Sequence, residues 1–344
     1  MIPLNWASIQ WGRVASMKFG GYPDTTVTFV PWKTPPTSLD GVRVIITPNN
    51  TRLPESVSPN HPAAPVAVID EVNPSGFVFH AVNVDGLDGE AGFDWMAVEE
   101  MSGPQLGHEA SIDVRFGIGQ PRTLGHGGAI GDWAAYTASF GATFATGTPD
   151  ELIRLLTAHN FGETAVSALA VDATQAEQDA RFQITNGGVA RNTVAAVGIT
   201  CEQFSNPMRG MAYIARSADD VDGKVGFNWL VLSGGEVNRG GMIDTGVTES
   251  WPQFYKAIPN LDSWEYRTVD FAAPFDSPPI VLVTGAQRLV MPAPMPPRPV
   301  AVAGIVFNTT RFGFTIAGRN IDIGPGQTQF YWVAIGCGGG CGGG

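Results

Sequence analysis

Gly324-Pro-Gly-Gln-Thr-Gln-Phe330-Tyr-Trp332-Val-Ala-Ile335 is a polar, turn-rich stretch that runs into Phe-x-Trp and then an apolar alternation, and the chain states it three times. The earlier statements are Val84-Asp-Gly-Leu-Asp-Gly-Glu-Ala-Gly-Phe93-Asp-Trp95-Met-Ala-Val98 and Asp220-Val-Asp-Gly-Lys-Val-Gly-Phe227-Asn-Trp229-Leu-Val-Leu232. Self-similarity at so long a spacing means tandem domains rather than one large fold. It also suggests a protein that works by presenting a similar surface several times.

Two further landmarks precede each Phe-x-Trp. One is a strand, a proline turn and a second strand, as in Thr268-Val-Asp-Phe271 to Pro278-Pro279-Ile-Val-Leu-Val283, and in Thr26-Val-Thr-Phe29 to Pro35-Pro36 followed by Val42-Arg-Val-Ile-Ile46. Proline cannot donate to a central ladder, so these prolines should bound strands rather than lie within them. The other is a strand, a turn and a strand opened by glycine: Val66 to Val72 then Gly76-Phe77, Val194 to Cys201 then Gly210-Met211, and Val300 to Phe307 then Gly313-Phe314. Alternating β-branched and aromatic residues between Gly, Pro and Asn clusters mark half-buried strands. Short strands at this spacing predict an all-β chain of three tandem antiparallel β-sandwiches, spanning 1–103, 104–236 and 237–336, with a Gly/Cys tail at 337–344.

The middle repeat is the irregular one. Thr148-Pro-Asp-Glu151 before Leu152, Ile153, Leu155 and Leu156 reads as a capping box with proline at the first helical position, predicting a short helix to about His159. A longer spacing before Val194 places an insertion around Ala165 to Gly188, of the kind that maps to surface loops.

Composition narrows function. The net charge of −12, with only 20 Lys+Arg, weighs against nucleic acid, whose affinity comes from neutralising phosphates, and against anionic membranes. No apolar run is long enough to span a bilayer, and no basic-then-apolar opening predicts a secretory signal. Charged residues make up 15%, below the usual share, so part of the surface is expected to be covered by something else.

Candidate chemistry is sparse. Asp85-Gly-Leu-Asp88-Gly-Glu90 and Asp219-Asp-Val-Asp222-Gly lack the alternating oxygen ligands and closing Glu of a calcium loop and read as hairpin turns. The five histidines show no metal spacing, and His80 reads as a polar-face strand residue. Leu124-Gly-His-Gly-Gly128 resembles an esterase oxyanion loop, but no Gly-x-Ser-x-Gly elbow accompanies it. No catalytic set, metal or cofactor is expected. Trp95, Trp229 and Trp332 read as core residues of the closing strands, Cys201 as a buried free thiol, and Trp133, Trp251 and Trp264 as contact residues. Asp262, Trp264, Arg298, Arg319, Asn320 and Asp322 supply the polar and aromatic groups that a sugar or protein contact needs, and Cys337 and Cys341 are candidates for intermolecular bridging.

Together these landmarks resemble the H-type lectin domain of snail agglutinins and the discoidin C-terminal domain. The third repeat carries the resemblance most fully, with Gly241-Met-Ile-Asp244, Trp251, Phe271 to Pro279, Gly313-Phe314 and Trp332-Val-Ala-Ile335; the first matches from Val27 onward and the second chiefly over 194–232. The resemblance implies a six-stranded antiparallel sandwich per repeat, assembly in threes, and sugar sites between protomers. It also implies a galactose-type site built on a Trp-His pair after the Gly-Phe strand and a preceding Arg. The Trp-His positions hold Asn83-Val84, Ser217-Ala218 and Asn320-Ile321, and Arg298 lies near the Arg position without coinciding with it. The expected function is a non-catalytic recognition and attachment protein, directed at carbohydrate, on a virion, tail fibre or extracellular appendage. The alternative is a purely structural self-assembling subunit. Expected partners are further copies, other assembly subunits and cell-surface glycans.

Overall fold

The computed structural model describes residues 9–19, 25–31, 42–49, 65–73, 75–83, 89–99, 113–124, 134–139, 152–159, 195–200, 210–217, 223–233, 243–248, 251–254, 265–287, 302–320 and 326–336. Among them the chain is all β, without a helix. The first repeat contributes β1 (Ile9–Phe19), β2 (Thr25–Thr28), β3 (Val42–Asn49), β4 (Pro65–Asn73), β5 (Gly76–Asn83) and β6 (Gly89–Glu99). The second contributes β7 (Asp113–Leu124), β8 (Ala134–Ser139), β9 (Ile153–His159), β10 (Ala195–Thr200), β11 (Gly210–Ser217) and β12 (Gly223–Ser233). The third contributes β13 (Ile243–Val247), β14 (Trp251–Phe254), β15 (Glu265–Asp270), β16 (Ile280–Gln287), β17 (Val302–Phe307), β18 (Gly313–Asn320) and β19 (Gly326–Ile335).

The helix expected up to His159 is not formed. Ile153–His159 is instead β9, hydrogen-bonded antiparallel to β12 and buried throughout Leu152–Ala158. Local capping chemistry lost to tertiary pairing: a segment covered on both sides gains its hydrogen bonds from neighbours, whatever its helical pattern. The capping box itself and the insertion near Ala165 to Gly188 lie outside the described residues.

Each repeat splits its strands in the same way. Counting positions without β14, which lies off the main sheet path and pairs with β19, the closing strand pairs with the opening strand and the third: β1-β6-β3, β7-β12-β9 and β13-β19-β16. The remaining trio is β2-β5-β4, β8-β11-β10 and β15-β18-β17. The three sheets are built by joining one trio of each kind from different repeats. β4 runs parallel to β9, β10 to β16, and β17 to β3, through the pairs Ile69 with His159, Ile199 with Ala286, and Val306 with Asn49. The fourth strand of each repeat therefore meets the third strand of the next, and the last meets the first, closing a ring.

This pairing accounts for the near-continuous apolar character of the closing strands. Phe93, Trp95 and Ala97 pack with Val44, Ile46, Phe77 and Phe79, whereas Met96 and Val98 on the opposite face join Leu230, Leu232, Val333 and Ile335 from the other two repeats. Phe330, Trp332 and Ala334 likewise pack with Phe271, Phe275 and Phe314, and Tyr331, Val333 and Ile335 face the shared cluster. A strand covered on both faces loses its polar half.

The aromatic nests repeat in detail. Trp95 lies 5.5 Å from Phe77 and 5.8 Å from Phe29, and Trp332 lies 5.5 Å from Phe314 and 6.0 Å from Phe271. Opposite each closing tryptophan stands a glycine: Gly12, Gly117 and Gly246. A Cβ on Gly12 would come within 2.8 Å of Trp95 Cζ2, and one on Gly246 within 2.7 Å of Trp332 Cζ2, so the indole rings occupy the space a side chain would need. The glycine that opens the fifth strand has a different cause. A Cβ on Gly76 would lie 2.0 Å from the carbonyl oxygen of Val27, and one on Gly313 2.3 Å from that of Val269.

Candidate functional site

The three third-position strands β3, β9 and β16 each carry a threonine at the residue paired with the x of Phe-x-Trp: Thr47 with Asp94, Thr157 with Asn228, and Thr284 with Tyr331. All three threonines are buried and reach across to a neighbouring repeat. Thr157 Oγ1 accepts from Ile46 N at 3.0 Å, Thr284 Oγ1 accepts from Leu156 N at 3.0 Å, and Thr47 Oγ1 accepts from Val283 N at 3.0 Å. Each hydroxyl also donates to the carbonyl of the same residue, at 3.4, 3.5 and 3.3 Å respectively. Ile46, Leu156 and Val283 are the residues immediately before the three threonines, so the bonds run head to tail around a pseudo-three-fold axis.

Beside this ring, the x residues of Phe-x-Trp differ, and each meets a different partner. Asp94 Oδ2 accepts from Val281 N of the third repeat and from Asn49 Nδ2, both at 2.8 Å. Its carboxylate is also gripped by Arg13, through Nε at 2.5 Å and Nη2 at 2.9 Å, and Arg13 Nη2 reaches Pro279 O at 3.3 Å. Complete burial pushes the Asp94 carboxyl above its ordinary 3.8, and the hydrogen bonds and charge of Arg13, with Val281 N–H and Asn49, oppose the rise. Asn228 Nδ2 donates to Val44 O of the first repeat at 3.1 Å, and its buried Oδ1 has no hydrogen-bond partner among the described residues. Tyr331 takes the third place. Arg154 of the second repeat donates through Nη1 to the Tyr331 hydroxyl at 3.1 Å and to Leu152 O at 2.8 Å, with its guanidinium 5.7 Å from the ring centroid. Sequence reading passed over Arg154, Thr157 and Asn228. Their one signal is a polar residue recurring at the same place in otherwise apolar strands.

The Gly241-Met-Ile-Asp244 motif has a structural part to play. Asp244 Oδ2 accepts from Ala272 N at 2.8 Å and Oδ1 from Thr245 N at 2.9 Å, fixing the residue after Phe271. Burial raises its carboxyl above the ordinary value, against those two N–H donors. Gln10 does the same work in the first repeat, exchanging bonds of 2.7 and 3.0 Å with the backbone of Val30. His80, expected on a polar face, is buried, with Nδ1 2.7 Å from Asp70 Oδ2.

Of the expected contact residues, Arg319 and Asn320 fall at the end of β18, paired with Ala303 and Val302 of β17. Asp262, Trp264, Arg298, Asp322, Cys337 and Cys341 lie outside the described residues, as does Cys201. Among the described residues no group of three or more His, Cys, Asp or Glu is arranged to hold a metal, and no helix is long and apolar enough to cross a membrane. No protein family, curated protein or solved structure matches the chain.

Proposed function

We propose that this chain is a non-catalytic recognition and attachment protein made of three H-type-lectin-like sandwiches closed into a trimer-like ring within one polypeptide. The observation that carries the reading is the cyclic set of junctions: three parallel strand pairs and three equivalent threonines, each linking one repeat to the next. Assembly in threes is what the resemblance implies, and here a single chain supplies all three places. The three buried threonines at its centre bond to the backbone of the neighbouring repeat, as a scaffold requires. On this reading Asp262, Trp264, Arg298, Arg319, Asn320 and Asp322 form the ligand contact group of the third repeat. Carbohydrate is the ligand class, and the setting is a virion, tail fibre or extracellular surface.

A second reading, a structural subunit that binds further copies, is favoured by one specific departure. Asn83-Val84 and Asn320-Ile321 stand where the resemblance calls for Trp-His. A glycan array together with native mass at working concentration separates the two. Array binding by a 36.4 kDa monomer supports attachment. Array silence together with filaments or large particles overturns it in favour of the structural subunit.

A further inference from the structure

We infer that the axial side chains encode the cyclic order of the three repeats. A head-to-tail ring of three similar units can close in two orders, one placing the second repeat after the first and the other placing the third there. Among the described residues the inter-repeat strand pairs touch through one or two residue pairs each, so these ladders discriminate little between neighbours.

The axial contacts do discriminate. By register, Val44, Arg154 and Val281 are equivalent, because each pairs with the residue two beyond its closing tryptophan: Ala97, Val231 and Ala334. Pro279 and Leu152, two residues earlier, are equivalent as well. In the observed order the Arg13–Asp94 pair meets Val281 N and Pro279 O, and Arg154 meets Tyr331. In the other order Arg13 would be aimed at Leu152 O, which Arg154 already occupies. Asp94 would then face Arg154 in place of Val281, so that two guanidiniums share one carboxylate and one buried carbonyl, and the Tyr331 hydroxyl would face Val44 instead of Arg154. A second buried cation drawn onto one carboxylate, and a buried hydroxyl stripped of its bond to Arg154, both oppose that arrangement. The residues beside the three x positions fit this scheme. Arg13 pairs with Asp94, whereas Ile118 pairs with Asn228 and Val247 with Tyr331, so in register only the acidic x residue has a cation opposite it. This inference rests on the ring alone and is independent of ligand class.

The order can be read by disulfide trapping in the full chain carrying Cys201→Ala, Cys337→Ser and Cys341→Ser. Ile69→Cys with His159→Cys reports the observed order, since these residues are strand partners. Ile69→Cys with Ala286→Cys reports the other, since Ala286 holds the equivalent place in β16. Each chain is unfolded, refolded and oxidised, and the monomer band is scored. With the axis intact, only the 69–159 bond should form. Arg154→Val with Tyr331→Asn copies residues or chemistry already present at sibling positions, and should let roughly a tenth or more of the chains form the 69–286 bond. Tyr331→Phe, which removes one oxygen, is the milder second variant and should give a smaller fraction above background. A 69–286 bond in the intact chain, or none in either axial variant, overturns the inference and assigns the order to the connecting segments.

Discussion

Replacing Thr157 by valine tests the ring at its simplest point. Valine has nearly the shape of threonine, so no cavity opens, and what disappears is the hydroxyl between Ile46 N at 3.0 Å and Ile46 O at 3.4 Å. The buried Ile46 N–H is left without its acceptor, at about 1–3 kcal/mol. The carbonyl contact is long and adds little, and the extra apolar methyl returns roughly 0.8 kcal/mol. The net expectation is a loss of about 1–2 kcal/mol. Urea unfolding should show a lower midpoint at unchanged slope, since the surface exposed on unfolding is the same. The pseudo-symmetry sharpens the test: Thr47→Val and Thr284→Val remove bonds of the same geometry at the other two junctions and should cost the same within about 0.5 kcal/mol. An unchanged midpoint for Thr157→Val, or a loss at only one of the three positions, would refute the ring as a shared source of cohesion.

Other consequences are as open to measurement. Gly246→Ala should destabilise by about 1–3 kcal/mol, because its Cβ would overlap the Trp332 indole, and near-ultraviolet dichroism should report the displaced ring. The pH dependence has a defined sign. Native Asp94 and Asp244 hold their protons above the ordinary 3.8, so between that value and their raised native values the folded state binds more protons than the unfolded. Their contribution is therefore complete below 3.8 and declines as pH rises through the window; Asp94→Asn with Asp244→Asn should flatten that slope in urea titrations, and a slope of the opposite sign sinks the assignment. Arg13→Met removes the charge that holds the Asp94 carboxylate, so its cost should be small in acid and grow toward neutrality, to about 3–5 kcal/mol.

The repeat, its strand content and its buried tryptophans were legible because Phe-x-Trp, proline turns and Gly-aromatic openers are local patterns with local causes. The glycines facing the indoles are visible in the sequence as well, but only pairing shows what they make room for. The stretch around Ile153 misled, since Leu152, Ile153, Leu155 and Leu156 fit a helical face as well as a strand buried on both sides, and periodicity alone does not separate those cases. The axial site was illegible for a related reason. Thr47, Thr157 and Thr284 are unremarkable one at a time, and Arg154 reads as an interruption of an apolar run.

Sequence by itself determined that three similar β units follow one another, because side-chain alternation, turn chemistry and aromatic spacing act over a few residues. Tertiary structure alone decided that the units share their sheets and close head to tail. That outcome depends on which strand edges meet, and residues more than two hundred positions apart, such as Thr47 and Val283, supply the bonds that settle it.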